Sequence, residues 1–183
     1  DLDVNPTTLI PRPDTECLVE KALELIPHSL ARVLDLGTGT GAIALALASE
    51  CPAWQLVAVD RVTEAAALAE QNRQRLGLDN VEVLQGSWFE PVVGLFEMIV
   101  SNPPYIDPLD PHLERGDLRF EPVSALVAAD KGLADIRQIA TQARDFLMEG
   151  GKLLFEHGYD QTAAVQQLLA ELSYCDIDSA QDY

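Results

Sequence analysis

The chain has 183 residues, 48% of them hydrophobic, with a mean hydropathy of +0.03. That is enough for one domain with a buried core, and too apolar for a disordered chain. Its net charge of −18, from 12 Lys+Arg against 30 Asp+Glu, offers no basic stripe for phosphates, so no direct nucleic-acid contact is expected.

No apolar run approaches the ~20 residues of a membrane-spanning helix. The chain opens Asp1-Leu2-Asp3, with no signal-peptide pattern and no initiator Met. A trimmed, cytoplasmic, monomeric protein with no membrane association is expected. Cys17, Cys51 and Cys175 are far apart, as are His28, His112 and His157. Neither set has metal-ligand spacing, so no metal is expected and the thiols read as reduced.

In chain order, Asp14 reads as the N-cap of a helix to about Ile26. Arg32–Leu36 reads as a buried strand, followed by a glycine turn and an Ala/Leu-rich helix to about Glu50. Gln55–Val59 is the next strand, and Thr63 reads as the cap of a helix to about Leu76. Further strands are expected at Val81–Leu84, Glu97–Val100 and Lys152–Glu156. Helices are expected at about Ala134–Met148 and Asp160–Leu172, with Ser173–Asp178 as the start of another strand. Alternating strands and helices predict an α/β fold: a doubly wound, mostly parallel sheet with helices on both faces. Ile106 to about Lys131 is a long irregular stretch with mixed charge, of the kind that forms lids and partner surfaces.

Two motifs fall at predicted strand ends, where open α/β sheets bind ligands. The first is Asp35-Leu36-Gly37-Thr38-Gly39-Thr40-Gly41, whose glycines permit tight turning and close approach of backbone to a ligand. Asp60 closes the second strand about twenty residues on, where a carboxylate can accept ribose hydroxyls. As a lone motif this suits a dinucleotide or S-adenosylmethionine. The carboxylate of Asp35 would repel a pyrophosphate and favours the cationic cofactor. Asp60 also has a bland reading, as a turn residue flanking the next helix.

The second motif is Asn102-Pro103-Pro104-Tyr105, after the apolar run Met98-Ile99-Val100. Two prolines stiffen the turn and remove two N–H donors. The Asn102 side chain and the free carbonyls are left to accept from a planar group bearing –NH2, beside the Tyr105 ring. The plain alternative is a proline-rich turn with Asn as turn former.

Together, Asp35 to Gly41, Asp60 and Asn102-Pro103-Pro104-Tyr105 resemble the class I methyltransferases that modify a planar-bound nitrogen. Leu9-Ile10-Pro11-Arg12-Pro13-Asp14-Thr15-Glu16 and Glu121-Pro122-Val123-Ser124-Ala125-Leu126 resemble signatures of the HemK-like release factor glutamine methyltransferase family. The similarity extends through Trp88-Phe89 and Glu156-His157-Gly158. It implies S-adenosylmethionine as cofactor and S-adenosylhomocysteine as product. The implied substrate is the glutamine of the Gly-Gly-Gln motif in bacterial peptide-chain release factors 1 and 2.

It also implies site roles. Gly37, Thr38, Gly39, Thr40 and Gly41 approach the cofactor, with Asp60 on ribose, Trp88 against adenine and Asn102 reaching the cofactor side. Asn102, Pro103, Pro104 and Tyr105 bind the substrate amide, and Asn102, Pro103 and Tyr105 act in catalysis. Ser87 stands where the family commonly has Asp. The family's small helical N-terminal domain and a further C-terminal strand are expected to be missing from this chain. The rival reading is an amino-methyltransferase acting on adenine or cytosine, which needs a base-flipping pocket and a phosphate surface. His112 and His157 are the candidate general bases, and a lone His is more often structural.

Overall fold

The computed structural model describes residues 2–5, 8–9, 13–26, 30–109 and 122–180. In order the elements are α1 (Pro13–Leu25), β1 (Arg32–Leu36), α2 (Ala42–Glu50), β2 (Gln55–Asp60), α3 (Thr63–Leu76), β3 (Val81–Gln85), β4 (Phe96–Ser101), α4 (Val123–Leu126), α5 (Ala134–Ala143), β5 (Leu147–Phe155) and α6 (Thr162–Glu171). Among the described residues, the five strands form one parallel sheet in the order β3-β2-β1-β4-β5. The chain winds outward from β1 through β2 to β3, then returns to place β4 on the other side of β1. This reversal puts the switch point of the sheet between β1 and β4, where α/β sheets open a crevice.

The central strands are largely apolar because both faces are covered. Alternate side chains go to opposite faces. Val33, Leu56, Ala58, Met98 and Val100 pack with Leu18 and Ala22 of α1 and with Ile43, Ala44 and Leu47 of α2. Leu34, Leu36, Val57, Val59 and Ile99 pack on the other side with Phe89, Val92 and with Ile139 and Ala143 of α5. α3 buries Ala65, Leu68, Ala69 and Asn72, the i, i+3, i+4, i+7 stripe of a half-buried helix. It stops at Gly77, whose φ of 66° lets its N–H turn back to the Gln74 carbonyl at 3.1 Å.

Four local expectations are corrected. α1 begins at Pro13, one residue before the expected cap, as suits a proline at the first helical position. Thr63 is the first residue of α3 and not its cap: the N-cap is Val62, without a side-chain bond. Its N–H instead reaches Asp60 Oδ1 at 2.9 Å.

The helix expected to reach Met148 ends at Ala143, and β5 begins at Leu147. Phe146 stacks on Phe89 with centroids 4.7 Å apart, and its carbonyl accepts from Phe96 N–H at 2.8 Å. Sheet pairing therefore captures residues that look helical in isolation. The register shift that follows is absorbed around Gly150, at φ 75°.

Ser173–Asp178 is not a strand. Ser173 and Asp176 have φ of 62° and 53°, incompatible with extended chain. Tyr174 is anchored on α5 through its hydroxyl to Ala140 O at 2.8 Å.

The irregular stretch Ile106–Lys131 contains α4 and an isolated parallel bridge, Ile106 to Val127, which ties its two ends together. Residues 110–121, with His112 and the charged Asp110, Glu114, Arg115, Asp117, Arg119 and Glu121, lie outside the described residues, as do Ile10, Pro11, Arg12 and His28. Among the described residues no helix is long and apolar enough to cross a membrane.

Candidate functional site

The carboxyl ends of β1, β2 and β4 open into a cavity of about 330 Å³, within the range of small-ligand sites. Two hydrogen bonds join the strand ends beneath it. Ser101, fully buried, donates from its hydroxyl to Leu36 O at 2.7 Å, and Glu156 N–H donates to Ser101 O at 3.1 Å.

The glycine turn forms one wall. Gly37 and Thr38 N–H groups both reach Val59 O, at 2.9 and 3.0 Å, so the turn is fastened across to β2. Gly37 and Gly39 have φ of 71° and 57°, the left-handed region that favours glycine. A Cβ at Gly37 would sit 3.5 Å from the Trp88 ring, while at Gly39 it would meet nothing within 4 Å. The turn therefore lies flat against Trp88 at one end and open at the other.

Gly41 does not line the cavity. A Cβ there would press on Leu45 at 2.8 Å, so this glycine serves the close seating of the turn on α2. Thr38 and Thr40 line the cavity but are nearly buried.

Asp60, at the end of β2, spans the turn. Its Oδ2 accepts Gly39 N–H at 2.9 Å and its Oδ1 accepts Val62 N–H at 2.9 Å. Each oxygen keeps acceptor capacity for a ligand. Trp88 lines the cavity opposite, only 9% exposed and at φ 47°. That backbone is uncommon for a bulky residue. Ser87 does not line the cavity. Its N–H caps the following turn through Glu90 Oε2 at 3.2 Å.

The tetrapeptide forms the facing wall: Asn102, Pro103, Pro104 and Tyr105 all line the same cavity as Gly37–Thr40, Asp60 and Trp88. Asn102 Nδ2 lies 3.5 Å from Thr15 Oγ1 of α1. With the amide nitrogen turned toward Thr15, the Oδ1 atom is left for a ligand. Tyr105 is half-buried, placed between the cavity and a small cluster of Ile136, Val165 and Leu168.

Sequence profiles match residues 14–115 to the methyltransferase small domain family. The chain belongs to that family. It is 57% identical to the release factor glutamine methyltransferase of Escherichia coli K12 and 61% identical to that of Pseudomonas aeruginosa PAO1, in each case over all of this chain and 66% of the relative's length. The chain thus spans slightly less than two thirds of these relatives. A methyltransferase crystal structure from Pyrococcus furiosus superposes with a TM-score of 0.70 at 20% identity, over 95% of this chain and 78% of that one. The Rossmann-like fold is therefore shared well beyond recognisable sequence likeness.

In this methyltransferase small domain, the acidic charge assigned to the turn lies beneath it. Asp35 is fully buried and does not line the cavity. Its Oδ2 accepts the Thr38 hydroxyl at 2.6 Å and Ala44 N–H at 3.2 Å, stapling the turn to the start of α2. Among the described residues, the carboxylates that line the cavity are Asp60 and Glu156.

Several supporting residues carry no motif signal. Asn72, fully buried, donates to Thr40 O at 2.9 Å and to Asp3 O at 3.0 Å, and accepts from Asp3 N–H at 2.8 Å. It braces the glycine turn against the N-terminal segment. A polar residue on the buried stripe of α3 was the available clue. Thr8 also lines the cavity without such a signal, whereas Thr15 and Leu126, which line it too, belong to the two stretches singled out in the sequence.

Asp35 yields a pH prediction. Burial pushes its carboxyl up to about 7, against the bonds from Thr38 and Ala44, with Asp60 nearby adding in the same upward direction. The folded chain therefore holds this proton more tightly than the unfolded chain, whose value is 3.8. The contribution is fully present below the unfolded value and is lost as pH rises through the folded value. Asp35→Asn, which cannot ionise, should gain in stability relative to the parent chain as pH rises from about 4 to about 7. Urea unfolding of both proteins across that window checks it. A pH-independent difference would remove the buried proton from Asp35.

Proposed function

We propose that this chain transfers a methyl group from S-adenosylmethionine to the side-chain nitrogen of the glutamine in the Gly-Gly-Gln motif of peptide-chain release factors 1 and 2. The observation that carries the proposal is the shared cavity. A stiff Asn-Pro-Pro-Tyr turn faces the glycine turn, Asp60 and Trp88 across one crevice. The relatives bearing the release factor name at 57–61% identity support the choice of substrate. The charge of −18 disfavours the nucleic-acid alternative, because it supplies no counterion-releasing surface.

The donor set fits the cofactor. Asp60 has acceptor capacity for two ribose hydroxyls, Trp88 offers a flat apolar face, and the Gly37–Gly39 backbone admits close approach. When bound, the cofactor supplies an electrophilic methyl on a sulfonium, already a good leaving group.

The residues of the chain then have to place and polarise an amide nitrogen. Its lone pair is delocalised into the carbonyl, so it is a weak nucleophile. Asn102 Oδ1 and the Pro103 carbonyl accept the two amide hydrogens, which aims the nitrogen and stabilises the positive charge that develops on it. Because prolines at 103 and 104 hold the turn rigid, these acceptors cost little reorganisation. Tyr105 packs against the amide plane. The proton leaves afterwards to water or a carbonyl. Among the described residues, His157 does not line the cavity; its Nδ1 lies 2.9 Å from Gly158 O.

The test is incubation of the chain with tritiated S-adenosylmethionine and purified release factor, beside a release factor whose motif glutamine is replaced by alanine. Label on the first and not the second is the expected result. Label on oligonucleotides in place of release factor would establish the rival reading.

A further inference from the structure

Gln161 stands on the turn between β5 and α6, outside the cavity lining. Its Nε2 donates to the Tyr105 carbonyl at 2.8 Å and to the Lys131 carbonyl at 3.1 Å. Its Oε1 accepts Gly158 N–H at 2.8 Å. Two donors and one acceptor on a single planar group are all engaged, on three segments that are far apart in the chain. The segments are the end of the tetrapeptide, the 129–133 turn and the turn after β5.

The 129–133 turn points to the same carbonyl independently. Asp130, Lys131 and Gly132 have φ of 55°, 55° and 82°, three consecutive left-handed residues. L-residues adopt that region as isolated cases and not in runs. Such a run persists where its surroundings hold it. A Cβ at Gly132 would overlap the Tyr105 carbonyl oxygen and crowd Gln161 Nε2 at 2.6 Å. The Gly132 backbone therefore lies directly against the atom that Gln161 grips.

We propose that Gln161 is a positioning residue for Tyr105. By holding the Tyr105 carbonyl between Gly132 and its own amide nitrogen, it sets the direction in which the Tyr105 ring leaves the backbone. It also fixes the height of the tetrapeptide wall over the substrate amide. It touches neither substrate nor cofactor and acts through Tyr105. This inference rests on the proposed role of Tyr105 in methyl transfer to glutamine.

Two variants test it. Gln161→Met keeps length and apolar contact but has no amide. Gln161→Glu keeps the acceptor for Gly158 N–H and loses both donors at neutral pH. Both should lower kcat on release factor by about tenfold, the size of one well-made hydrogen bond, with unchanged calorimetric affinity for S-adenosylmethionine. Both should also shift the 15N resonance of Ile106, whose amide nitrogen is bonded to the Tyr105 carbonyl carbon. This readout needs no turnover, so absence of release factor methylation by the parent chain would undo the proposed function and leave the Ile106 measurement intact. An unmoved Ile106 resonance overturns the proposal. So does parent-like turnover in Gln161→Glu, which would assign the role to the Gly158 bond. Equal losses of turnover and cofactor affinity would mark Gln161 as merely structural and also overturn it.

Discussion

Asn102→Ala lowers the rate of methyl transfer by about 100- to 1,000-fold, the scale on which removal of one preorganised polar group acts. The expectation follows from the position of Asn102 immediately after β4, with its amide nitrogen 3.5 Å from Thr15 Oγ1 and the rest of the group lining the cavity. Alanine removes the acceptor proposed to take one amide hydrogen, and the proline turn keeps the backbone from relocating another in its place. Binding of S-adenosylmethionine, assigned in the proposal to Asp60 and the glycine turn, is expected to fall much less. Single-turnover rates on release factor, with calorimetry on the same protein, separate the two quantities. Near-parent turnover in Asn102→Ala removes the residue from the chemistry.

Asp60→Ala weakens S-adenosylmethionine binding by at least about tenfold, because a carboxylate receiving hydroxyls forms charge-assisted bonds of about 1.5–3 kcal/mol. The geometry adds a second cause. Asp60 Oδ2 also holds Gly39 N–H at 2.9 Å, so the variant frees the glycine turn that lines the cavity. Asp60→Asn retains one carbonyl oxygen for Gly39 and exchanges the other acceptor for a donor, so its loss falls between the parent and the alanine variant. The domain stays folded, since Asp60 joins two loops and contributes nothing to the apolar clusters of the sheet. Calorimetry beside circular dichroism reads both effects, and unchanged affinity in Asp60→Ala excludes it from the cofactor site.

The sequence alone determined the five strands, the parallel sheet and the residues of the two cavity walls, because each depends on a few adjacent residues. The apolar runs Leu56–Val59 and Met98–Val100, and Val33–Leu36 broken only by Asp35, are what a strand covered on both faces requires. Glycines at 37 and 39 mark left-handed backbone that few other residues accept. Pro103 and Pro104 fix two φ angles of the tetrapeptide from within. Asp60 was legible from its place at the end of a strand.

Tertiary structure alone decided the supports behind those walls. Thr15 meets Asn102 across 87 positions, Gln161 meets Tyr105 across 56, and Asn72 meets Thr40 across 32. A lone Thr, Gln or Asn has no preferred distant partner until packing presents one. Tertiary structure also turned Asp35 from a charge facing the cavity into a staple beneath it, since a strand-end carboxylate reads the same in sequence whether it points out or in. The early start of β5 and the failure of Ser173–Asp178 to extend the sheet have one cause. Pairing of Phe96 with Leu147 and anchoring of Tyr174 on α5 are contacts between remote segments, and such contacts override the local preferences that a sequence displays.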